Sequence, residues 1–174
     1  MQIQIEKTLE GSILDIGGGG EGVIGRVYEK QVTAIDDRQE ELDEAPEGPH
    51  KLLMDASALS FSDASFENVT AFYAFMYIEK DLHEKAASEA CRVLRPGGQL
   101  HIWDVCIDSA APEPFVTELD ILADGQAIHT AYGVGKADAA QDDGYFIRLY
   151  EALGLRLKTR EAADGHFHLS FEKR

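Results

Sequence analysis

Two cysteines, one tryptophan and only 16 basic residues are little for a chain of 174. Cys91 and Cys106 supply neither a disulfide framework nor the ligand spacing of a zinc site. No stretch approaches the roughly 18 consecutive apolar residues of a membrane-spanning helix. Residues 1–7 have neither the basic start nor the long apolar core of a signal peptide, so the expected compartment is the cytoplasm. The shortage of bases says most. Lys and Arg number 16 against 32 Asp and Glu, a formal charge of −16. Nucleic-acid binding draws on cations that neutralise phosphates, and the longest basic cluster here is Lys173-Arg174. Nucleic acid and anionic membrane surfaces are therefore disfavoured, and a neutral or cationic small molecule suits the field better. Most of the acidity serves solubility.

What the chain does have is a glycine-rich break after an apolar run. Ile13-Leu14-Asp15-Ile16 leads into Gly17-Gly18-Gly19-Gly20-Glu21-Gly22, and Val32-Thr33-Ala34-Ile35 then closes on Asp36. The first glycine permits a tight turn off a strand, and the next lets backbone approach a ligand without a Cβ in the way. An acid 19 residues after Gly17 stands where ribose hydroxyls can donate to it. With 44% hydrophobic and 28% charged residues, the expectation is one soluble domain over residues 1–174.

The pattern around this turn predicts strands at 12–16, 31–35, 50–54, 69–75 and 99–105, with helices at 21–28 and 80–94 and an acidic connection at 40–48 with room for one helical turn. The second helix ends where Arg95-Pro96-Gly97-Gly98 breaks the periodicity. Strands alternating with helices argue for a mainly parallel sheet. Beyond Asp108 the period changes to two. Residues 115–122 and 127–134 alternate around Asp124-Gly125, which predicts a β-hairpin. A helix at 142–153 stopped by Gly154 and strands at 155–159 and 166–171 complete the chain. The expected fold is α/β: a Rossmann-like, mainly parallel seven-stranded sheet with helices on both faces, and a hairpin inserted after the fifth strand.

Four segments in order (13–22, 32–36, 54–66 and 92–98) resemble the motifs of class I S-adenosylmethionine-dependent methyltransferases, most closely the small-molecule branch of the ubiquinone and menaquinone biosynthesis enzymes. The resemblance covers residues 12–105. It implies S-adenosyl-L-methionine as cofactor and a small-molecule methyl acceptor. It also implies roles at matching positions. Asp15, Gly17 and Gly19 fall where the family holds the amino-acid end of the cofactor. Asp36 falls at the ribose, Asp55 and Ala56 at the adenine, and Tyr73 beside the methionine moiety.

Two positions depart from that family. Glu21 stands where a third glycine is usual, either because the turn carries an extra residue or because Glu21 opens the helix. A carboxylate there suits the helix dipole but repels a pyrophosphate, which weighs against a dinucleotide. Met76-Tyr77 replaces a frequent His pair, so the familiar general base is missing. Strand-end position makes Tyr73, Met76, Tyr77 and Asp104 wall residues of an acceptor pocket, with Tyr77 or Asp104 as the polar, catalytic contact. The hairpin either covers this pocket with His129 or Tyr132, or pairs with a second subunit to form a homodimer.

Plainer readings compete at several positions. Asp63, Ser65 and Phe66 read as a turn. His101 and Asp104 are three apart on a strand and point to opposite faces, so no metal is expected there. His166 and His168 share a face and read as packing or surface residues, and Cys91 as a buried helix residue. Two functional alternatives to a methyltransferase remain: a non-catalytic S-adenosylmethionine-binding module, or an NAD-dependent oxidoreductase.

Overall fold

The computed structural model describes residues 2–108, 114–136 and 138–174. In chain order the elements are β1 (Gln2–Ile5), β2 (Ile13–Ile16), α1 (Val23–Tyr28), β3 (Val32–Asp36), α2 (Gln39–Glu44), β4 (His50–Leu53) and β5 (Phe66–Phe72). There follow α3 (His83–Val93), β6 (Leu94–Val105), β7 (Phe115–Ala123), β8 (Gln126–Val134), α4 (Asp143–Ala152), β9 (Leu155–Ala163) and β10 (His166–Lys173).

Seven strands make one sheet in the order β4-β3-β2-β5-β6-β10-β9. The first five in that order are parallel, while β10 is antiparallel to both β6 and β9. Parallel neighbours need crossovers, which the helices and longer connections supply. Because side chains alternate along a strand, each strand feeds two cores. Leu14, Val69, Leu100, Ile102, Leu169 and Phe171 point to the face covered by α3 and α4. There Ala86, Ala87 and Ala90 let α3 approach the sheet closely, and Phe146 and Tyr150 fill the space under α4. Ile13, Val32, Phe72 and Val105 point the other way, to a core shared with Val23, Ile24 and Val27 of α1.

That second core is completed by a small sheet in the order β1-β7-β8. The hairpin forms as its alternation predicts. Asp124 and Gly125 take φ of 46° and 79°, the left-handed pair that a two-residue turn of this hand requires. Leu119 and Ile121 are fully buried against the large sheet, worth about 1.5–3 kcal/mol each.

Two features differ from the sequence reading. Residues 2–5 form a strand that pairs parallel with β7, Gln2 opposite Asp120 through Ile5 opposite Ala123. The hairpin's inner edge is thus taken by the chain itself, and β8 lies at the outer edge. Secondly, Arg95-Pro96-Gly97-Gly98 lies inside β6 instead of preceding it. Phe66 pairs with Leu94 and Asn68 with Gln99, so β6 bulges while β5 runs straight, with Gly97 at φ 76°.

Tyr28, at the end of α1, fastens the segment after β1. Its hydroxyl accepts from the amides of Thr8 and Leu9 at 3.0 and 3.2 Å and donates to the Glu6 carbonyl at 2.9 Å. Tyr28→Phe leaves these groups unpaired and should lower the unfolding free energy by about 1–3 kcal/mol in urea titrations. A loss below about 0.5 kcal/mol would mean that the staple contributes nothing.

Candidate functional site

The carboxyl ends of β2, β3, β4 and β5 converge on the glycine-rich turn. Asp15, near the end of β2, is buried and accepts a 2.7 Å bond from the Thr70 hydroxyl. Burial pushes its carboxyl up to about 7; the Thr70 bond opposes the shift and the charge of Asp36 adds to it. The chain then turns at Gly17, with φ 68°, where a Cβ would lie 2.6 Å from the Ala74 methyl. The Gly18 amide donates to Ile35 and the Gly20 amide to the Glu41 carbonyl, at 3.0 and 2.8 Å. β3 and α2 thereby hold the turn. A Cβ on Gly19 would stand 2.5 Å from Glu41 Cβ and 2.8 Å from Asp36 Oδ2, so Asp36 and the turn are in direct contact. Burial raises the Asp36 carboxyl, against the opposing bond from the Arg38 amide at 3.0 Å.

Beyond β4, the exposed Asp55 accepts from the amide and hydroxyl of Ser57 at 2.7 and 3.0 Å, a side-chain turn that also orients Ala56. Leu53, in register with Asp36, is 57% exposed. Asp15, Gly17, Gly19, Asp36, Asp55, Ala56 and Tyr73 therefore all lie at one edge of the sheet.

Tyr73 follows β5 directly with φ 51°, a left-handed conformation unusual for an aromatic residue. Its amide donates to the Trp103 carbonyl at 2.8 Å, and its ring stacks on Tyr132 with centroids 5.2 Å apart. Its hydroxyl is 2.6 Å from His166 Nδ1, and His166 Nε2 is 3.3 Å from the Thr117 hydroxyl. Burial raises the Tyr73 hydroxyl and lowers the His166 imidazole.

Glu21 falls before the helix rather than in it, since Gly22 is the cap of α1. Its carboxylate accepts from the hydroxyls of Thr130 and Tyr132, the latter at 3.1 Å, and so ties the glycine turn to β8. Tyr77 is 48% exposed, and its hydroxyl accepts from the Gly133 amide at 3.1 Å. Of the two hairpin residues expected over the pocket, Tyr132 reaches inward. His129 points out, paired with Asp120 at 2.9 Å, because the register of β8 places the two on opposite faces.

Asp104 and Met76 are interior residues, not open walls. Asp104 is 0% exposed and accepts from the Val105 amide and Gln141 Nε2 at 2.9 and 2.7 Å. Its Oδ2 has no hydrogen-bond partner among the described residues. Burial pushes this carboxyl up to about 7, with the Val105 and Gln141 bonds opposing. His101 lies on the other face of β6, stacked with Trp103. His166 is the residue that sequence reasoning undervalued. Its period-two spacing with His168 was visible, but its contact with Tyr73, 93 residues away, was not.

A parallel sheet with a glycine turn and an acid at adjacent carboxyl ends defines a nucleotide-binding α/β protein. The methyltransferase domain family matches residues 14–102, just over half of the chain, and the chain belongs to that family. It is 31% identical over 114 residues to O-methyltransferase resE of Aspergillus sclerotiorum, covering 59% of this chain and 42% of that protein. It is 37% identical over 65 residues to O-methyltransferase rstn1 of Aspergillus nomiae, covering 37% and 28%. The chain therefore spans less than half the length of these curated relatives. Among solved structures it superposes on an S-adenosylmethionine-dependent methyltransferase of Methanosarcina mazei with a TM-score of 0.66 at 17% identity, covering 95% of this chain and 94% of that one. The corresponding Mesorhizobium loti enzyme gives 0.66 at 17% identity, covering 93% and 90%. These last two likenesses establish the fold. The cofactor of the family is S-adenosylmethionine. No helix among the described residues is long and apolar enough to cross a membrane.

The buried Asp104 carboxyl makes stability depend on pH in an unusual direction. Its folded pKa lies above the ordinary 3.8, so the folded state keeps a proton that the unfolded chain releases. Between about pH 4 and 7 this group costs stability as pH rises, at most about 1.4 kcal/mol per pH unit. Asp104→Asn removes that slope, so in urea unfolding the variant should gain on the parent from pH 4 to 7. A difference independent of pH would refute the shift.

Proposed function

We propose that this chain is an S-adenosylmethionine-dependent methyltransferase that methylates an oxygen of a small molecule. The observation that carries the reading is the contact of Asp36 with the glycine turn, beside the exposed end of β4. The residues present fit the cofactor. Asp36 is half-buried at a strand end and offers its carboxylate to two ribose hydroxyls. Leu53 presents apolar surface beside Asp36, and Asp55 and Ala56 follow it, which suits an adenine. Gly17 and Gly19 let the turn close against Ala74, Glu41 and Asp36, and the amino-acid end would lie along that turn. Asp15, enclosed beneath the turn, shapes that loop rather than touching the ligand.

S-adenosylmethionine supplies a methyl group on a sulfonium, open to in-line displacement. The protein's share is alignment and exclusion of water. Tyr132, Tyr77 and the Glu21 tie hold β8 over the carboxyl edge, and that cover provides the dry wall. Tyr77 can offer a polar contact to the acceptor, whereas Asp104 acts from inside the sheet as a positioning group. An oxygen acceptor is supported by the two fungal relatives, both O-methyltransferases by name. The acidic field suits the cationic cofactor better than a nucleic acid, with 32 Asp and Glu against 16 Lys and Arg.

Thermal shift tests this directly. S-adenosylhomocysteine at about 100 times its dissociation constant should stabilise the protein by about 2.7 kcal/mol, and NAD at the same concentration should not. Asp36→Ala should abolish the response. Stabilisation by NAD alone, or an Asp36→Ala variant that responds like the parent, would overturn the reading.

A further inference from the structure

A cavity of about 770 Å³ opens on the α1-side face of the large sheet, between β1 and the β6, β10 and β9 strands. Its volume is in the range that encloses a small organic ligand, roughly 300–1,000 Å³. Ile3, Gln4 and Ile5 of β1 form one of its walls and residues of β6, β10 and β9 the other. Its floor is made of rings. Trp103 and His168 stack with centroids 4.2 Å apart and planes 4° from parallel, and His101 stacks on Trp103 at 5.6 Å. Tyr73 and His166 line the same cavity, joined at 2.6 Å. Tyr73 links the two regions: it precedes Ala74, whose methyl faces Gly17 of the glycine turn, and its own side chain lines the cavity.

We propose that this cavity receives the methyl acceptor, that the acceptor is a planar aromatic alcohol, and that Tyr73 and His166 remove its proton. The inference rests on the methyltransferase reading above. Ring edges suit an aromatic ligand, and a few imidazole and hydroxyl groups among them fix its orientation. The dyad supplies the base missing at Met76-Tyr77. In the tautomer with Nδ1 bare, the Tyr73 hydroxyl donates to His166 and Nε2–H donates to Thr117. As the acceptor oxygen bonds the methyl carbon, the carbon–sulfur bond breaks and its electron pair stays on sulfur. The acceptor proton passes to Tyr73 Oη while the Tyr73 proton passes to His166 Nδ1, leaving an imidazolium held by Thr117. Tyr73 is then a catalytic residue, and His166 a positioning residue that takes up the proton.

Calorimetry on the protein saturated with S-adenosylhomocysteine tests the pocket. 2-Naphthol should bind at least tenfold tighter than its saturated analogue decahydro-2-naphthol. 4-Nitrophenol, which absorbs where tryptophan emits, should quench Trp103, the chain's only tryptophan. Turnover with S-adenosylmethionine tests the dyad. His166→Gln should lower the 2-naphthol to 4-nitrophenol rate ratio at least tenfold, since the more acidic phenol needs less help. Tyr73→Phe should cut turnover of 2-naphthol about 100-fold. Equal affinity for the two naphthalene alcohols, no binding of either, or no transfer to either phenol overturns the proposal. An unchanged rate ratio in His166→Gln overturns the dyad, because loss of packing lowers both rates alike. If S-adenosylhomocysteine itself fails to bind the unaltered protein, the methyltransferase reading falls instead.

Discussion

A seven-stranded sheet has two faces to bury, and α1 is too short to cover one of them. Its six residues span roughly 9 Å and pack against β3, β5 and β7. The remainder of that face is closed by β1, β7 and β8, through Ile3, Ile5, Leu119 and Ile121. The site follows from this division. Where the small sheet meets the carboxyl edge, Tyr132 lies against Tyr73, and Glu21 reaches across to β8. Where β1 stands off the large sheet, the rings of β6 and β10 are left facing a cavity. Cover and opening both follow from how the small sheet sits on that face.

Glu21 shows what a departure from the family pattern can do. A glycine at that position would leave the turn unattached to the hairpin. The carboxylate instead accepts two hydroxyl bonds, which are stronger for being charge-assisted. The glycine turn and β8 are therefore one mechanical unit, because displacing either strands a partly buried carboxylate. Tyr77 adds a second tie from the end of β5, through the Gly133 amide. The hairpin, already paired along β1, is thereby tied down beside the glycine turn as well.

Local chemistry made much of this legible in the sequence. Alternation and the Asp124-Gly125 pair announce the hairpin, and glycines between an apolar run and a helix announce the turn. The acid closing the second run marks Asp36. What stayed hidden depends on distant partners. Residues 2–5 alternate, but four residues carry little signal, and their partner strand begins more than a hundred residues later. The Arg95–Gly98 stretch reads as a terminator because proline and glycine cannot continue a helix, yet a bulge at the start of β6 accommodates both. Asp104 has the look of a strand-end wall residue. Only the packing of Gln141 against it reveals that it faces inward.

The same spacing rule explains both the misjudged acid and the undervalued histidine. On β6, Trp103 and Asp104 are neighbours and so lie on opposite faces, one lining the cavity and the other enclosed in the protein. On β10, His166 is antiparallel to β6 and pairs with Val105, which brings it to the carboxyl edge from the opposite chain direction. A reading along the sequence places it near a terminus, far from the glycine turn. The antiparallel return places it beside Tyr73, within 2.6 Å of its hydroxyl. The left-handed backbone of Tyr73 sets this direction: a regular continuation of β5 would carry its side chain along the strand's alternation. The strain at that residue is offset by its amide bond to Trp103, the stacking of Tyr132 and the bond to His166. Those contacts come from β6 and β10 of the large sheet and β8 of the small one, so Tyr73 is held from both sheets at once.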